Sequence, residues 1–229
     1  MPPYRTEQAR CDSPIRSTQD HKAVAFDATH SPRLIHRDII RIYINKSRAI
    51  SFHAVSHPKI IPQDPTSTMS PITILSLPYT HPDATALRAA QQLEIATLRP
   101  TGFGIPATAA NVPVFLVAYD GDEPIGCGGL RPLAEQGLPG QAEVKRMYVV
   151  PQRRGRGTDG DGGVVVAEVI LEALERVARE KGWWVLRAQT SKKMGQAMRF
   201  YEKHGYVRGE IFGGYKVNEH FVYYEKRLG

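Results

Sequence analysis

Glu143-Val144-Lys145-Arg146-Met147-Tyr148-Val149-Val150-Pro151-Gln152-Arg153-Arg154-Gly155-Arg156-Gly157-Thr158 is the stretch on which the reading of this 229-residue chain turns. The apolar and β-branched residues up to Val150 predict a strand, and Pro151 with the glycines predicts a basic turn leading to a long helix. A helix start leaves backbone N–H groups unpaired at the positive end of the helix dipole, so such a turn reads as a phosphate site. Arg153, Arg154 and Arg156 add attraction for a polyanion. A solvated basic turn has the same composition, so the elements around it have to decide.

Outward from that stretch the chain reads as alternating elements. Residues 72–77 predict a strand, and Asp83 can cap a helix from 84 to about 98 whose apolar face is Leu87, Ala90, Leu93 and Thr97. Residues 114–119 and 125–131 predict two strands around the turn Asp120-Gly121-Asp122-Glu123, and 142–150 another. The strongest helical stripe is Val166, Val169, Ile170, Ala173, Leu174, Val177 and Ala178, with Glu172/Arg176 and Glu175/Arg179 four apart on the other face. Gly182 ends it. A strand at 183–188, a helix at 193–204 stopped by Gly205, and strands at 207–212 and 220–226 complete the order β-α-β-β-β-α-β-α-β-β. That order predicts an α/β protein with a mixed sheet and helices on its faces.

Residues 1–68 differ from the rest. They carry ten Lys+Arg, six Asp+Glu and five of the eight histidines, and end in the proline-rich run before Met69. The expectation is a poorly ordered or extended N-terminal segment over 1–68 and one enzyme-sized domain over 69–229. Residues 38–44 form a candidate short strand with nothing obvious to pair with. The net charge of +7 divides as +4 before Met69 and +3 after it, so the basicity that invites a nucleic-acid reading is mostly outside the domain. No apolar run approaches the eighteen or so residues of a membrane span. Two cysteines, Cys11 and Cys127, make no disulfide framework or metal-ligand spacing, and a reducing, cytoplasmic setting is expected.

Three ligands compete for the basic turn. A mononucleotide loop needs Gly-Lys-Ser/Thr, and Gly157-Thr158 lacks the lysine. Gly155-x-Gly157-x-x-Gly160 satisfies a dinucleotide string, but the next strand offers no acidic residue for a ribose. The third is coenzyme A: Gln152-Arg153-Arg154-Gly155-Arg156-Gly157 resembles the pyrophosphate loop of the GNAT superfamily of N-acyltransferases. Ala197-Met198-Arg199-Phe200-Tyr201-Glu202-Lys203-His204-Gly205-Tyr206 resembles that family's signature on its last helix, independently of the loop. The element order fits as well, over about 70% of the chain.

The resemblance implies a GNAT-like fold in which the central parallel strands splay and acetyl-CoA lies in the gap, with its pantetheine arm against backbone groups like those of Met147, Tyr148 and Val149. Gln152, Arg153, Arg154, Gly155, Arg156, Gly157 and Thr158 would hold the pyrophosphate. The N–H of the Met147 region would face the developing oxyanion. Glu143 is the candidate base towards an amine, with a salt bridge to Lys145 as its competing role. Tyr201 matches the tyrosine that protonates the departing thiolate, with helix packing as its competing role. Tyr206, Tyr215, Tyr223 and Tyr224 are expected to pack or to line the acceptor pocket, and His204 and His220 to be satisfied structural groups. Cys127 has no basic neighbour, which argues against an acyl-cysteine. No metal is implied, nucleic acid is not expected as a partner on this charge distribution, and a monomer or homodimer is expected. The alternative is a non-catalytic binding module with a disabled fold.

Two departures from the family pattern stand out. Asp159-Gly160-Asp161-Gly162-Gly163 intervenes before the long helix, either looping out or extending the helix and displacing its dipole. Met194 stands where family members often have an Asn or Gln that caps the helix or touches the cofactor.

Overall fold

In the computed structural model the chain divides into two units, Met1–His36 and Arg37–Gly229. The structure describes the backbone of 40–44 and 50–54, and residues 72–96, 106–155 and 165–229, all in the second unit. Arg156, Gly157, Thr158, the Asp159–Gly163 insertion and much of the front segment lie outside the described residues. Within that segment, β1 (Ile40–Ile44) pairs antiparallel with β2 (Ile50–Ala54), so the strand expected to lack a partner has one.

The remaining strands and α-helices among the described residues are β3 (Ile72–Ser76), α1 (Pro82–Ile95), β4 (Val114–Asp120), β5 (Glu123–Pro132), β6 (Gln141–Val149), α2 (Val166–Glu180), β7 (Val185–Ser191), α3 (Gly195–Lys203), β8 (Val207–Arg208) and β9 (Phe221–Arg227). Seven strands form one sheet in the order β3-β4-β5-β6-β7-β9-β8. Every junction is antiparallel except β6 with β7. The mixed α/β sheet and its order of elements are those the sequence predicts.

Helix α2 covers one face with the expected stripe, and Ile170 and Leu174 are fully buried. The opposing strand is glycine-rich for that reason. A Cβ on Gly128 would sit 2.9 Å from both Ile170 Cγ2 and Leu174 Cδ1, and one on Gly126 2.9 Å from the Tyr148 carbonyl oxygen. Glu175, expected on the solvent face, is instead buried and held by Lys226 Nζ at 2.7 and 2.8 Å. Arg176 ion-pairs with Glu180 at 3.8 Å, rather than standing out only as a partner for Glu172.

Helix α1 covers the other face and departs from expectation in two ways. Its cap is His81, whose Nδ1 accepts the Asp83 N–H at 3.3 Å, and Pro82 begins the helix. Asp83 instead accepts the Tyr119 hydroxyl at 2.6 Å; burial first, and this bond second, raise that phenol's pKa. Its buried face is Ala84, Leu87, Gln91 and Ile95, while Leu93 is exposed. A buried glutamine in place of an apolar residue marks the side of α1 that faces the site. The strand expected at 183–188 is shifted to Val185–Ser191, and that at 207–212 shrinks to two residues.

Candidate active site

Strands β6 and β7 pair from Gln141↔Val185 to Val144↔Ala188 and no further, although β6 continues to Val149 and β7 to Ser191. The two strands part, and a cavity of about 1100 Å³ opens between them. Its walls come from β6 (Glu143 to Val149), the turn after it (Pro151, Arg153, Arg154, Gly155), the start of α2 (Val165, Ala167), the end of β7 (Gln189 to Ser191), α3 (Tyr201 among others) and α1 (Gln91, Ile95). The expected splay is present.

A β-bulge sits at the parting. Between the pairs Gly129↔Lys145 and Cys127↔Tyr148, β5 advances two residues and β6 three. The extra residue is taken up at Arg146, whose φ of 58° is left-handed although it is not a glycine. Its carbonyl accepts the Cys127 thiol at 3.4 Å. Burial pushes that thiol's pKa up to about 12, with Arg88 and Arg146 opposing, so Cys127 stays a protonated donor and a poor nucleophile.

Beyond the bulge, Val150 N–H bonds to Ile125 O at 3.0 Å, so Tyr148 and Val150 turn their backbone groups to β5, and Met147 and Val149 turn theirs to the gap. Of the three residues expected to meet an amide-bearing arm, Met147 and Val149 thus face the gap with their backbone groups, whereas Tyr148 spends its own on Cys127 of β5. Both carbonyls are already engaged: Met147 O accepts Gln91 Nε2 at 2.8 Å and Val149 O accepts Arg154 Nε at 2.7 Å. Neither engagement was foreseen. Gln91 carries no motif, and only the interruption it makes in the apolar face of α1 hinted at it.

The turn itself is a short 3-10 helix at Pro151–Arg153, with Gly155 at φ 68°. Helix α2 begins at Val166 after an extended Val165, and both Val165 and Ala167 line the cavity. Two of the three expected phosphate arginines are paired with carboxylates. Arg153 pairs with Asp120 at 2.8 Å and Glu123 at 3.3 Å; Arg154 bonds Glu94 through two nitrogens at 2.8 and 2.6 Å. Arg154 holds the Glu94 carboxyl below the usual carboxylate range. Gln152 is exposed and does not line the cavity.

At the other end lies Glu143, 1% exposed. Arg131, equally buried, donates to Oε2, while Lys145 Nζ and the Tyr215 hydroxyl donate to Oε1 at 3.1 and 2.6 Å. Lys145 also donates to the Tyr215 oxygen at 2.7 Å. The salt bridge to Lys145 named above as Glu143's competing role is therefore present. Arg131 and Tyr215 were not anticipated in it. Arg131 stands opposite Glu143 across the β5–β6 pair, a relation visible only once register is known.

Tyr201 is buried among Phe200, Tyr206 and Tyr224, with ring centroids 5.6, 5.3 and 5.7 Å away. Burial first, and the Glu143 charge second, raise its phenol pKa, so it keeps its proton at neutral pH. It does line the cavity as well as pack. Tyr206, Tyr215, Tyr223 and Tyr224 do not line it. His204 is satisfied by the Phe200 carbonyl at 2.7 Å. Met194 begins α3 without a side-chain cap. No described helix is long and apolar enough to cross a membrane.

A parallel pair that parts beside a bulged strand, a turn leading to a helix start and a buried tyrosine define an acyltransferase-type cleft. The family model for the acetyltransferase (GNAT) domain matches residues 112–208. An uncharacterised N-acetyltransferase of Bacillus subtilis is 34% identical over 98 residues, 42% of this chain and 57% of that protein. An IAA acetyltransferase of Azospirillum brasilense is 31% identical over 114 residues, 50% of this chain and 67% of that protein. The chain thus spans little more than half of the first relative and two thirds of the second. A Klebsiella pneumoniae structure named as an acyl-CoA N-acyltransferase is 28% identical with a TM-score of 0.56, covering 69% of this chain and 98% of that one. A Staphylococcus aureus acetyltransferase of the same family, at 15% identity and TM-score 0.51 over 69% of this chain and 99% of that one, shares the fold. The chain belongs to the GNAT acetyltransferase family.

Proposed function

We propose that this protein transfers an acetyl group from acetyl-CoA to a primary amine of a small molecule or peptide, by direct attack in a ternary complex. The observation that carries the reading is the parting of β6 from β7 after Val144 and Ala188, which opens a strand edge and a cavity large enough for an extended, amide-bearing arm. Met147, Tyr148 and Val149 would run beside that arm. Arg153, Arg154 and Gly155, with Gln152, Arg156, Gly157 and Thr158, would take the pyrophosphate at the start of α2. When bound, acetyl-CoA supplies a thioester carbon at which a C–N bond forms as the C–S bond breaks, and the proton lost by the amine is balanced by the proton gained at sulfur.

The chain's own residues have three tasks. The Met147 N–H, on the gap side of β6, is the donor proposed for the oxyanion. Tyr201, protonated at neutral pH, is the acid that returns a proton to the thiolate. Glu143 is the proposed destination of the amine proton. Both of its oxygens are engaged by Arg131, Lys145 and Tyr215, so taking a proton requires a donor to let go, and a water path to bulk solvent is the competing route. A free, buried Cys127 suits a reducing, cytoplasmic setting.

Calorimetric titration of the full chain with CoA is the test. Micromolar binding that weakens with a substitution lining the gap supports the reading; no binding up to millimolar CoA sinks it in favour of a non-catalytic module. Glu143→Gln, normalised to the CoA-binding fraction, separates the proton routes: a lost acid limb in the rate profile assigns the base to Glu143, and an unchanged profile assigns it to water.

A further inference from the structure

Arg146 is an arginine in a place that suits a glycine or asparagine. Its left-handed backbone at φ 58° costs on the order of 1–3 kcal/mol for an ordinary side chain, and the bulge would form more easily without one. A bulky cation kept at such a position invites the question of what the side chain does. It lines the cavity at the point where β6 leaves β7, beside Lys145 and Met147, and it is half-buried. Its Nε is buried and has no hydrogen-bond partner among the described residues.

The other arginines at this site and its turn have carboxylates. Arg131 has Glu143, Arg153 has Asp120 and Glu123, and Arg154 has Glu94. Among the described residues Arg146 makes no ion pair. Glu143 is the sole acid among the described residues that line the cavity, and both its oxygens are already engaged. A guanidinium cannot discharge by losing its proton, so a half-buried one favours an anion brought by a ligand, and a planar carboxylate matches its fork of donors. The pyrophosphate of CoA is not that anion in the proposed pose. It belongs at the far end of β6, and Arg146 to Val149 alone covers roughly 10 Å of strand.

We propose that the acceptor amine also carries a carboxylate, and that Arg146 holds that carboxylate while the amine faces the thioester. This rests on the acetyl-transfer reading and names its substrate class. Its corollary concerns charge. A second ammonium group in place of the carboxylate would stand against Arg146 and Lys145, so diamines and polyamines are excluded by like-charge repulsion. The same cations make protonation of the attacking amine less favourable, which keeps it a nucleophile.

The test uses matched pairs: amino acids and ω-amino acids, each against its own primary amide, with acetyl-CoA at pH 8 and thiol release as the readout. The carboxylate member of the best pair is expected to exceed its amide by about 30-fold in kcat/KM, the range of a charge-assisted hydrogen bond. Arg146→Asn, which tolerates the left-handed backbone, is expected to erase that ratio, and Arg146→Lys to restore part of it. Independently of turnover, calorimetry on protein saturated with CoA is expected to detect the preferred acid and to lose it in Arg146→Asn. Amides used as well as acids, a plain amine used in preference to every acid, or a preference that survives Arg146→Asn overturns the proposal. If CoA itself fails to bind, the acetyl-transfer reading falls and takes this with it. CoA binding with indifference to acceptor charge strikes this inference alone.

Discussion

Two clusters of opposite charge flank the cleft, and they are built on opposite terms. Arg154 and Glu94, 35% and 39% exposed, meet at the turn through two hydrogen bonds. Arg131 and Glu143, each 1% exposed, meet at the far end with Lys145 at 13% and the Tyr215 hydroxyl. Water screens the first pair and returns most of its hydration if it breaks, so it is worth little to stability and is free to exchange partners. Burial removes that option from the second, where each charge depends on the other. In the pose proposed above, the exchangeable cluster lies where a ligand's phosphates would compete for Arg154, and the fixed one where an amine would have to be aligned.

The sharpest way to break this contrast is Glu143→Ala. It leaves the buried Arg131 charge without its carboxylate and is expected to cost about 3–5 kcal/mol, read as a fall in the urea midpoint. Arg131→Met combined with Glu143→Leu removes both charges and should recover most of the loss. A single variant within about 1 kcal/mol of wild type would mean that the buried cluster behaves like the exposed one.

Cys127 extends the same logic to a neutral group. Its folded-state pKa is raised by burial from about 9 to about 12. Below pH 9 both folded and unfolded states hold the proton, and the stabilisation is fully present. Between about 9 and 12 the unfolded chain loses its proton first, so stability falls as pH rises, by up to ~1.4 kcal/mol per pH unit. Cys127→Ala should flatten part of that alkaline slope in a pH series of unfolding curves. Parallel slopes in the two proteins would remove Cys127 from the balance.

Much of this was legible in the sequence, and the rest has physical reasons for being hidden. The strand through Val149, the turn and the α2 stripe all declare themselves by local pattern, because a strand half-buried beside a helix start leaves alternation and glycines behind. The Glu143 cluster leaves no such trace. Arg131 reaches it through a register relation, and Tyr215 arrives from 72 residues away in sequence. Gln91 is concealed for another reason: a polar residue on an otherwise apolar helical face reads as solvent-facing, yet here a strand carbonyl receives it. Arg146 is the hardest, since nothing local distinguishes a bulge residue from its neighbours. Arg153 and Arg154 are legible as charge, but their carboxylate partners are not, because these come from α1 and from the β4–β5 hairpin.

Tyr201 tests how far the buried cluster reaches. Glu143's charge contributes to the raised phenol pKa, so the two groups share one electrostatic environment. Tyr201→Phe keeps the ring contacts with Phe200, Tyr206 and Tyr224 and removes only the hydroxyl, so the unfolding midpoint should barely move. On the proposed mechanism kcat falls about 100-fold with KM for acetyl-CoA little changed. A wild-type kcat in this variant would leave Tyr201 as packing alone.

The smallest effect separates the clusters most cleanly. Glu94→Gln should change stability by less than about 1 kcal/mol, because the pair it breaks is exposed. In the wild type, Arg154 holds the Glu94 carboxyl below its usual range, so the pair contributes above that range and is lost as pH falls through the lowered value. What the substitution changes is competition. With Glu94 neutral, Arg154 keeps its bond to the Val149 carbonyl but is released from its carboxylate, and a pyrophosphate no longer has to displace an anion to reach it. CoA should therefore bind a few-fold tighter to Glu94→Gln, an advantage that shrinks as salt screens both partners. Weaker binding would show instead that the pair positions Arg154 for the phosphates, and that the exposed cluster depends on its geometry as strictly as the buried one.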